Sequence, residues 1–119
     1  MKLIVNGDDF GISKGVTLGI IEAHVNGIVK STTLMCNMED SKYAAELSKN
    51  YKNLGVGIHF VLSAGRPICN ASDVSSLVDD NGNFKKENRT GKNIKIEDIR
   101  KELNAQFQRF LSFGIIPRI

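Results

Sequence analysis

Three short segments rich in β-branched and apolar residues alternate with two helical patterns over residues 2–62. The three segments predict strands at about 2–6, 28–35 and 54–62, because such side chains favour extended backbone. Apolar residues at helical spacing predict helices at about 13–26 and 40–50. Short connections in a β-α-β-α-β order imply a parallel sheet with right-handed crossovers. This alternation is the strongest constraint on the fold and places the chain in the α/β class.

The first predicted helix has a clear start and a clear inner face. Ser13 is a good N-cap residue. Four apolar residues at helical spacing are expected to face the core: Val16, Ile20, Ile21 and Val25. His24 lies on the same helix, away from the strand ends, and we expect a structural or surface role for it.

Polar side chains collect where the predicted strands end. Asp8 and Asp9 directly follow the first strand, Asn37 follows the second, and the third contains His59 with Ser63 just beyond it. Ligands of α/β proteins bind outside the carboxyl ends of parallel strands. Two adjacent carboxylates repel each other, so a divalent metal, or a proton shared with a substrate, is expected to compensate them. The alternative is that the pair complements the dipole of the following helix.

The second half of the chain is less regular. Residues 64–95 read as a solvated excursion, with a small hairpin predicted where Val78 and Phe84 flank an Asn-Gly turn. A last helix is predicted at about 96–113 from an apolar stripe: Ile96, Ile99, Leu103, Phe107, Phe110 and Leu111. Residues 115–117 resemble the start of a fourth strand. A β/α chain should not stop there, so residues 1–119 are expected to form a single, incomplete catalytic domain.

Composition excludes several functional classes. Hydrophobic residues make up 41% of the chain and charged residues 24%, which is typical of a globular domain. The net charge of +3 is not concentrated in one basic stripe, so nucleic acid is not an expected partner. Apolar runs fall short of the roughly 20 residues that span a bilayer. Cys36 and Cys69 are far apart, and two inert thiols suit a reducing cytoplasm.

Three blocks of sequence together resemble a known family. They are N-G-D-D-F-G-I-S-K-G-V at 6–16, G-I-V-K-S-T-T-L-M at 27–35 and G-V-G-I-H-F-V-L-S at 55–63. In this order and spacing they resemble the YdjC-like carbohydrate deacetylases, which include enzymes that remove acetyl groups from chito-oligosaccharides. The resemblance implies the first half of an irregular, TIM-barrel-like β/α barrel of roughly twice this length.

The resemblance also implies roles for the residues at the strand ends. Asp9 and His59 would be ligands of Mg²⁺ or Zn²⁺, and Asp8 the general base that removes a proton from water. The roles of the two aspartates remain exchangeable. A second histidine, and a general acid, would come from sequence beyond residue 119. Asn37 and Ser63 are candidate contacts for sugar hydroxyls, and the family resemblance favours a homodimer acting on an N-acetylated sugar.

Two other functions are compatible with parts of the sequence. A flavodoxin-like receiver domain also has an acidic pair after its first strand, but its third strand should end in a phosphate-accepting Asp, whereas His59 occupies that region. An inactive remnant that binds only sugar or a partner subunit is the second alternative, because part of the metal site would be missing.

Half a barrel would leave sheet edges unpaired, and unpaired edges invite association. We therefore expect the isolated 119-residue chain to oligomerise or to be poorly soluble unless the other half of the fold is present. Sedimentation velocity and thermal unfolding test this expectation. A sharp monomer boundary with cooperative unfolding would contradict it.

Overall fold

A computed structural model describes residues 1–116 and contains a three-stranded parallel sheet in the order β1-β2-β3. The sheet and its helices follow one another as β1 (Asn6–Phe10), α1 (Lys14–Val25), β2 (Ser31–Met35), α2 (Ser41–Ser48) and β3 (Gly55–His59). The predicted α/β class and parallel pairing are confirmed. The sequential strand order differs from that of receiver-like folds, in which the first strand lies between the second and third.

The first strand was predicted four residues too early. Residues 1–4 are exposed, with Leu3 and Ile4 at 76% and 82%, and pairing with β2 begins only at Asn6. The apolar residues before Asn6 match the pattern of a strand, but most of them remain exposed in the structure. The carboxylate pair therefore lies inside β1 and not after it.

A bulge interrupts β1 at the carboxylate pair. Gly7 aligns with Thr32 and Phe10 aligns with Leu34, so two residues of β1 stand opposite the single residue Thr33 of β2. A bulge re-aims the side chains of the strand that carries it. Phe10 is thereby returned to the buried face of the sheet, where it is fully covered, and the two aspartates are left at the rim.

Helix α1 begins where predicted but turns a different face inward. The hydroxyl of Ser13 accepts from the amide of Val16 at 3.1 Å, as expected of an N-cap. The buried positions of the helix are Thr17, Ile20, Ile21 and His24. Val16 and Val25, which were predicted to be core residues, are 40% and 56% exposed.

Two polar side chains explain this rotation of α1. Thr17 accepts from the amide of Gly11 at 3.1 Å, which draws its hydroxyl into the β1–α1 junction. At the other end, Nδ1 of His24 donates to the carbonyl of Val29 at 2.6 Å. Each bond satisfies a backbone group near the start of an element. Of the two roles predicted for His24, structural or surface, the structure supports the structural one.

The apolar core lies between the sheet and its helices. Its buried members are Phe10, Ile20, Ile21, Leu34, Cys36, Ala44, Ala45, Leu54, Val56, Phe110 and Phe113. The small residues Ala44 and Ala45 let α2 approach the sheet closely. Tyr43, on the same helix, is 37% exposed.

The irregular excursion, predicted at 64–95, begins at residue 60 in the structure, because β3 ends at His59 and not at residue 62 as predicted. It contains two 3₁₀ segments, Ala71–Leu77 and Lys86–Thr90. An antiparallel bridge joins Val78 to Phe84 and confirms the small hairpin. A second cluster of buried apolar residues packs beneath the excursion: Met35, Val61, Val74, Leu77 and Phe84.

Helix α3 (Ile96–Ser112) packs through a face that is largely polar. Its buried residues are Asp98, Glu102, Gln106 and Phe110, at intervals of four. From the predicted apolar stripe, Phe110 is fully buried, whereas Ile96, Phe107 and Leu111 are 75%, 37% and 42% exposed. The polar face is favoured because the irregular excursion offers unpaired backbone N–H groups that need acceptors.

Asp98 illustrates this use of the polar face. Its carboxylate accepts from the hydroxyl of Ser76 at 2.6 Å and from the amide of Ser76 at 3.1 Å. The bond from the hydroxyl, more than any other interaction, holds the pKa of Asp98 below its usual range.

Both edges of the sheet are unpaired in the described part of the chain. Within residues 1–116, β1 and β3 each pair only with β2. The predicted start of a fourth strand begins at Ile115 and Ile116, which make no strand pairing, and Pro117 lies outside the described residues. Among these same residues, no helix has the length and apolar character needed to cross a membrane.

Gly11 has no room for a side chain. Its φ is +93°, and an added Cβ would lie 2.9 Å from Leu34 Cδ1 and 3.1 Å from the Cα of Ser41. Gly11→Ala should therefore lower the free energy of unfolding by about 2–4 kcal/mol, from backbone strain and overpacking. Urea denaturation of the two proteins measures the difference.

Gly19→Ala is the matched control. Gly19 lies in α1, is exposed, and an added Cβ would meet nothing within 4 Å. Alanine is favoured over glycine inside a helix, so this change should raise the free energy of unfolding by about 0.5–1 kcal/mol. Equal effects of the two substitutions would contradict the close approach at Gly11.

Candidate functional site

The structure brings Asp9 and His59 together at the carboxyl ends of the strands. Oδ1 of Asp9 lies 3.5 Å from Nδ1 of His59, although their strands are separated by β2. The two side chains retain 50% and 32% exposure, respectively. The bulge in β1 and the last paired residue of β3 thus converge on one point of the rim.

The Nδ1 atom of His59 is buried but has no hydrogen-bond partner. Its approach to Asp9 at 3.5 Å is longer than an ordinary hydrogen bond. An unpaired buried polar atom is costly, so this nitrogen is suited to a ligand. Two ligand atoms that each lie about 2.1 Å from one metal ion are roughly 3.0–3.5 Å apart. The separation and the nitrogen–oxygen donor set therefore fit a divalent metal.

Further ligands would have to join this pair. Over residues 1–116, no group of three or more His, Cys, Asp or Glu side chains is placed to hold a metal ion. Catalytic zinc sites commonly use three protein ligands. The described part of the chain supplies two candidates.

Asp9 adopts a backbone conformation that is unusual for its residue type. Its φ is +68°, in the left-handed region, and its carbonyl accepts from the amide of Ile12 at 3.1 Å. A residue other than glycine in this region stores roughly 1–3 kcal/mol of strain, and such residues cluster at functional sites. The strained turn aims the Asp9 side chain toward β3.

Asp8 is held separately from Asp9. Its Oδ1 accepts from Nδ2 of Asn6 at 2.8 Å, and Oδ1 of Asn6 accepts from the hydroxyl of Ser31 at 2.8 Å. These two hydrogen bonds orient one oxygen of Asp8, and the carboxylate remains exposed to solvent. Asn6 and Ser31 were not predicted to belong to the site. The signal available in the sequence was the two-residue spacing of Asn6 and Asp8, which places both on one face of a strand.

Asn37 connects the end of β2 to the excursion. Its Nδ2 donates to the carbonyls of Ala64 and Arg66, at 2.9 and 3.0 Å. Its Oδ1 is buried and has no hydrogen-bond partner. Both donors are therefore committed to the loop, and only the oxygen remains for a ligand. The contact between Asn37 and a sugar stays a prediction.

Ser63 lines an open cavity of about 730 Å³ together with residues of the hairpin, among them Asp79, Asn83 and Lys85. A cavity of this size is large enough for a small ligand. The predicted contact between Ser63 and a sugar also remains a prediction.

The two cysteines are free, as predicted. Burial raises the pKa of Cys36 to about 12. Burial, followed by the nearby Glu102 carboxylate, raises the pKa of Cys69 to about 11. Because the thiolate is the reactive form, neither residue is poised as a nucleophile at neutral pH.

Comparison with known proteins places these features in a family. Residues 2–118 match the YdjC-like protein family. The chain is 57% identical over 117 residues to a carbohydrate deacetylase of Clostridium beijerinckii, covering 98% of this chain and 47% of that protein. It is 44% identical to a chitooligosaccharide deacetylase of Proteus mirabilis, covering 97% of this chain and 46% of that protein. The chain therefore belongs to the YdjC-like family.

A solved structure shares the same fold. A protein of Enterococcus faecalis V583, proposed to be a cellobiose-phosphate cleavage protein, superposes with a TM-score of 0.90 at 35% identity. The superposition covers 96% of this chain and 45% of the Enterococcus chain. The present chain thus spans about half the length of the relatives it matches.

Asp9→Asn separates the charge of Asp9 from its backbone conformation. Asparagine tolerates positive φ, so the stability should be retained, while the loss of the carboxylate should weaken binding of Zn²⁺ by about tenfold or more. Isothermal titration with the metal alone, on the protein expressed from its complete gene, measures the change.

Asp8→Asn is the control for this experiment. It removes the same charge from the neighbouring residue, whose carboxylate is engaged by Asn6. We expect Zn²⁺ affinity to change by less than about threefold. A larger loss in Asp8→Asn than in Asp9→Asn would show that the roles of the two aspartates are exchanged.

Proposed function

We propose that this protein is a metal-dependent hydrolase that removes acetyl groups from N-acetylated sugars or oligosaccharides. The observation that carries the proposal is the convergence of Asp9 and His59, at 3.5 Å, beside a separately oriented Asp8. Relatives named as carbohydrate and chitooligosaccharide deacetylases support the substrate class.

Asp9 and His59 would hold a divalent ion, Mg²⁺ or Zn²⁺. Such an ion supplies a Lewis acid for an amide carbonyl and lowers the pKa of a water molecule. The half-exposed carboxylate of Asp9 can neutralise part of the charge of the ion. His59 offers a buried nitrogen that has no competing hydrogen bond.

Asp8 would act as the general base. Asn6 orients one oxygen of its carboxylate, and the other oxygen is free to accept the proton of the attacking water. Attack on the carbonyl carbon, followed by cleavage of the C–N bond, gives acetate and a free amino sugar. The leaving nitrogen needs a proton, and in the proposed mechanism a general acid supplied by the rest of the fold would donate it.

The fold would be completed by further strands. We propose that β1 and β3 are joined at their open edges to additional β/α units of a TIM-barrel-like domain. The agreement with 45% of the Enterococcus structure supports this interpretation, since a contiguous portion of a larger fold would leave both edges unpaired. Homodimerisation and a cytoplasmic location stay predictions, which sedimentation and cell fractionation can test.

Release of acetate from di-N-acetylchitobiose tests the function. The protein expressed from its complete gene should release acetate when a divalent metal is supplied, and removal of the metal by a chelator should abolish the release. Asp8→Asn should lower kcat by about 10²–10⁴-fold, the contribution typical of a general base, with metal affinity retained. An enzymatic acetate assay measures both effects.

Two outcomes would contradict the proposal. Acetate release that persists in chelator would exclude the metal mechanism. Failure of every divalent metal to support release, although the sugar still binds, would favour the inactive sugar-binding remnant.

A further inference from the structure

The chain immediately beyond His59 is held by a side chain and not by a strand. Pairing of β3 with β2 ends at His59, opposite Met35. Two residues later, the amide of Val61 donates to Oε1 of Gln106 at 3.0 Å, and Nε2 of Gln106 donates to the carbonyl of Val61 at 2.6 Å. The carboxamide of Gln106 thus binds both backbone groups of Val61, as a neighbouring strand would.

Glu102 fixes the orientation of Gln106. The second N–H of the Gln106 carboxamide donates to Oε2 of Glu102 at 2.7 Å. Glu102 also accepts from the amides of Ile68 and Cys69, at 3.0 and 2.9 Å. Both side chains on α3 are fully buried. A buried polar network whose members are all satisfied is rigid, because any rotation would leave a group unpaired.

This network acts close to the candidate metal site. Only Phe60, which is 47% exposed, separates the last strand-paired residue from the residue that Gln106 holds. One residue farther on, the carbonyl of Leu62 accepts from Nδ2 of Asn88 at 2.8 Å. The peptide that follows His59 is therefore anchored on both sides, which limits how His59 can turn relative to Asp9.

We infer that Gln106, oriented by Glu102, is a positioning residue that sets the imidazole of His59 for metal binding; this inference rests on the proposed function. The polar face of α3 then has two uses. Asp98 secures the excursion at Ser76, whereas Gln106 secures the end of β3. Partners that orient metal ligands commonly change metal affinity by 10–100-fold when they are removed.

The test compares Gln106→Met with Asp98→Ala in the protein expressed from its complete gene. Both variants remove a buried polar contact from the same face of α3, but only Gln106 touches the segment beside His59. Gln106→Met should weaken binding of Co²⁺, followed by its visible absorption, by about tenfold or more. Asp98→Ala should leave the affinity within about twofold of the wild type.

A second measurement needs neither metal nor activity. In the metal-free protein expressed from its complete gene, the imidazole ¹⁵N signals of His24 and His59 can be assigned by substituting each histidine in turn and then followed by NMR. Gln106→Met should shift the His59 signals and leave those of His24, which is bound to Val29, unchanged. Unshifted His59 signals, or equal shifts in Asp98→Ala, would overturn the inference.

Glu102→Gln keeps the inference testable if Gln106→Met does not fold. It preserves the size of the side chain but leaves a single oxygen for three donors, the Gln106 carboxamide and the amides of Ile68 and Cys69, so the hold on Gln106 is weakened. We expect the same shift of the His59 signals and a smaller loss of Co²⁺ affinity, about threefold. Wild-type values for both measurements would contradict a positioning role.

The outcomes also separate this inference from the proposed function. A wild-type protein that binds Co²⁺ but releases no acetate would overturn the deacetylase proposal and leave the positioning of His59 supported. Normal acetate release by the wild type, together with an unchanged His59 signal in Gln106→Met, would support the deacetylase proposal and overturn the positioning role of Gln106.

Discussion

The interruption of the β1–β2 pairing is the constraint on which the candidate site depends. Two residues of β1 share the space opposite Thr33, and the chain recovers its register only at Phe10. Without the extra residue, Phe10 would point to the other face of the sheet, because a shift of one residue reverses every side chain. The same irregularity therefore serves the core and the rim. It buries the ring of Phe10 and leaves the carboxylates of Asp8 and Asp9 outside the regular strand pairing.

A second constraint lies in the long irregular segment after β3. Residues 60–95 contain no strand that could satisfy their backbone groups, so α3 supplies acceptors and donors from its side chains. Asp98, Glu102 and Gln106 face inward in place of apolar residues. Apolar packing comes from Phe110 and Phe113, which belong to the core, and from the partly buried Ile99, which packs against the second cluster. Like an edge strand, α3 provides hydrogen-bond donors and acceptors to neighbouring backbone groups, but it does so through its side chains.

The sequence predicted the features that depend on local patterns. The β-α-β-α-β order, the cap at Ser13 and the hairpin at Val78 and Phe84 were all predicted from residue types and spacing, and the structure confirms them. The strand-end argument also anticipated that Asp9 and His59 would lie near each other, because the carboxyl ends of parallel strands share one edge.

The wrong predictions concern features that local residue patterns do not reveal. The bulge in β1 leaves no signature in apolar spacing, so the strand was predicted at 2–6, whereas pairing with β2 begins only at Asn6. The inward face of α3 was missed because its apolar stripe looked sufficient, while Glu102 and Gln106 looked like ordinary solvent-exposed residues. Their burial depends on unpaired backbone groups elsewhere in the chain, and these groups become visible only once the fold is known. A spacing of four from Asp98 to Phe110 was the available clue.

The positive φ of Asp9 has a consequence for how this family can diverge. If Asp9 holds a metal as proposed, position 9 is restricted twice, by the chemistry of a carboxylate and by a backbone conformation that excludes most side chains. A lineage that lost the chemistry would still need the turn in order to bury Phe10. Drift at this position should therefore lead mainly to asparagine or glycine, each a single nucleotide change from aspartate. Under the proposed function, asparagine or glycine at position 9 of a related sequence would indicate that the turn was kept after the carboxylate had been lost.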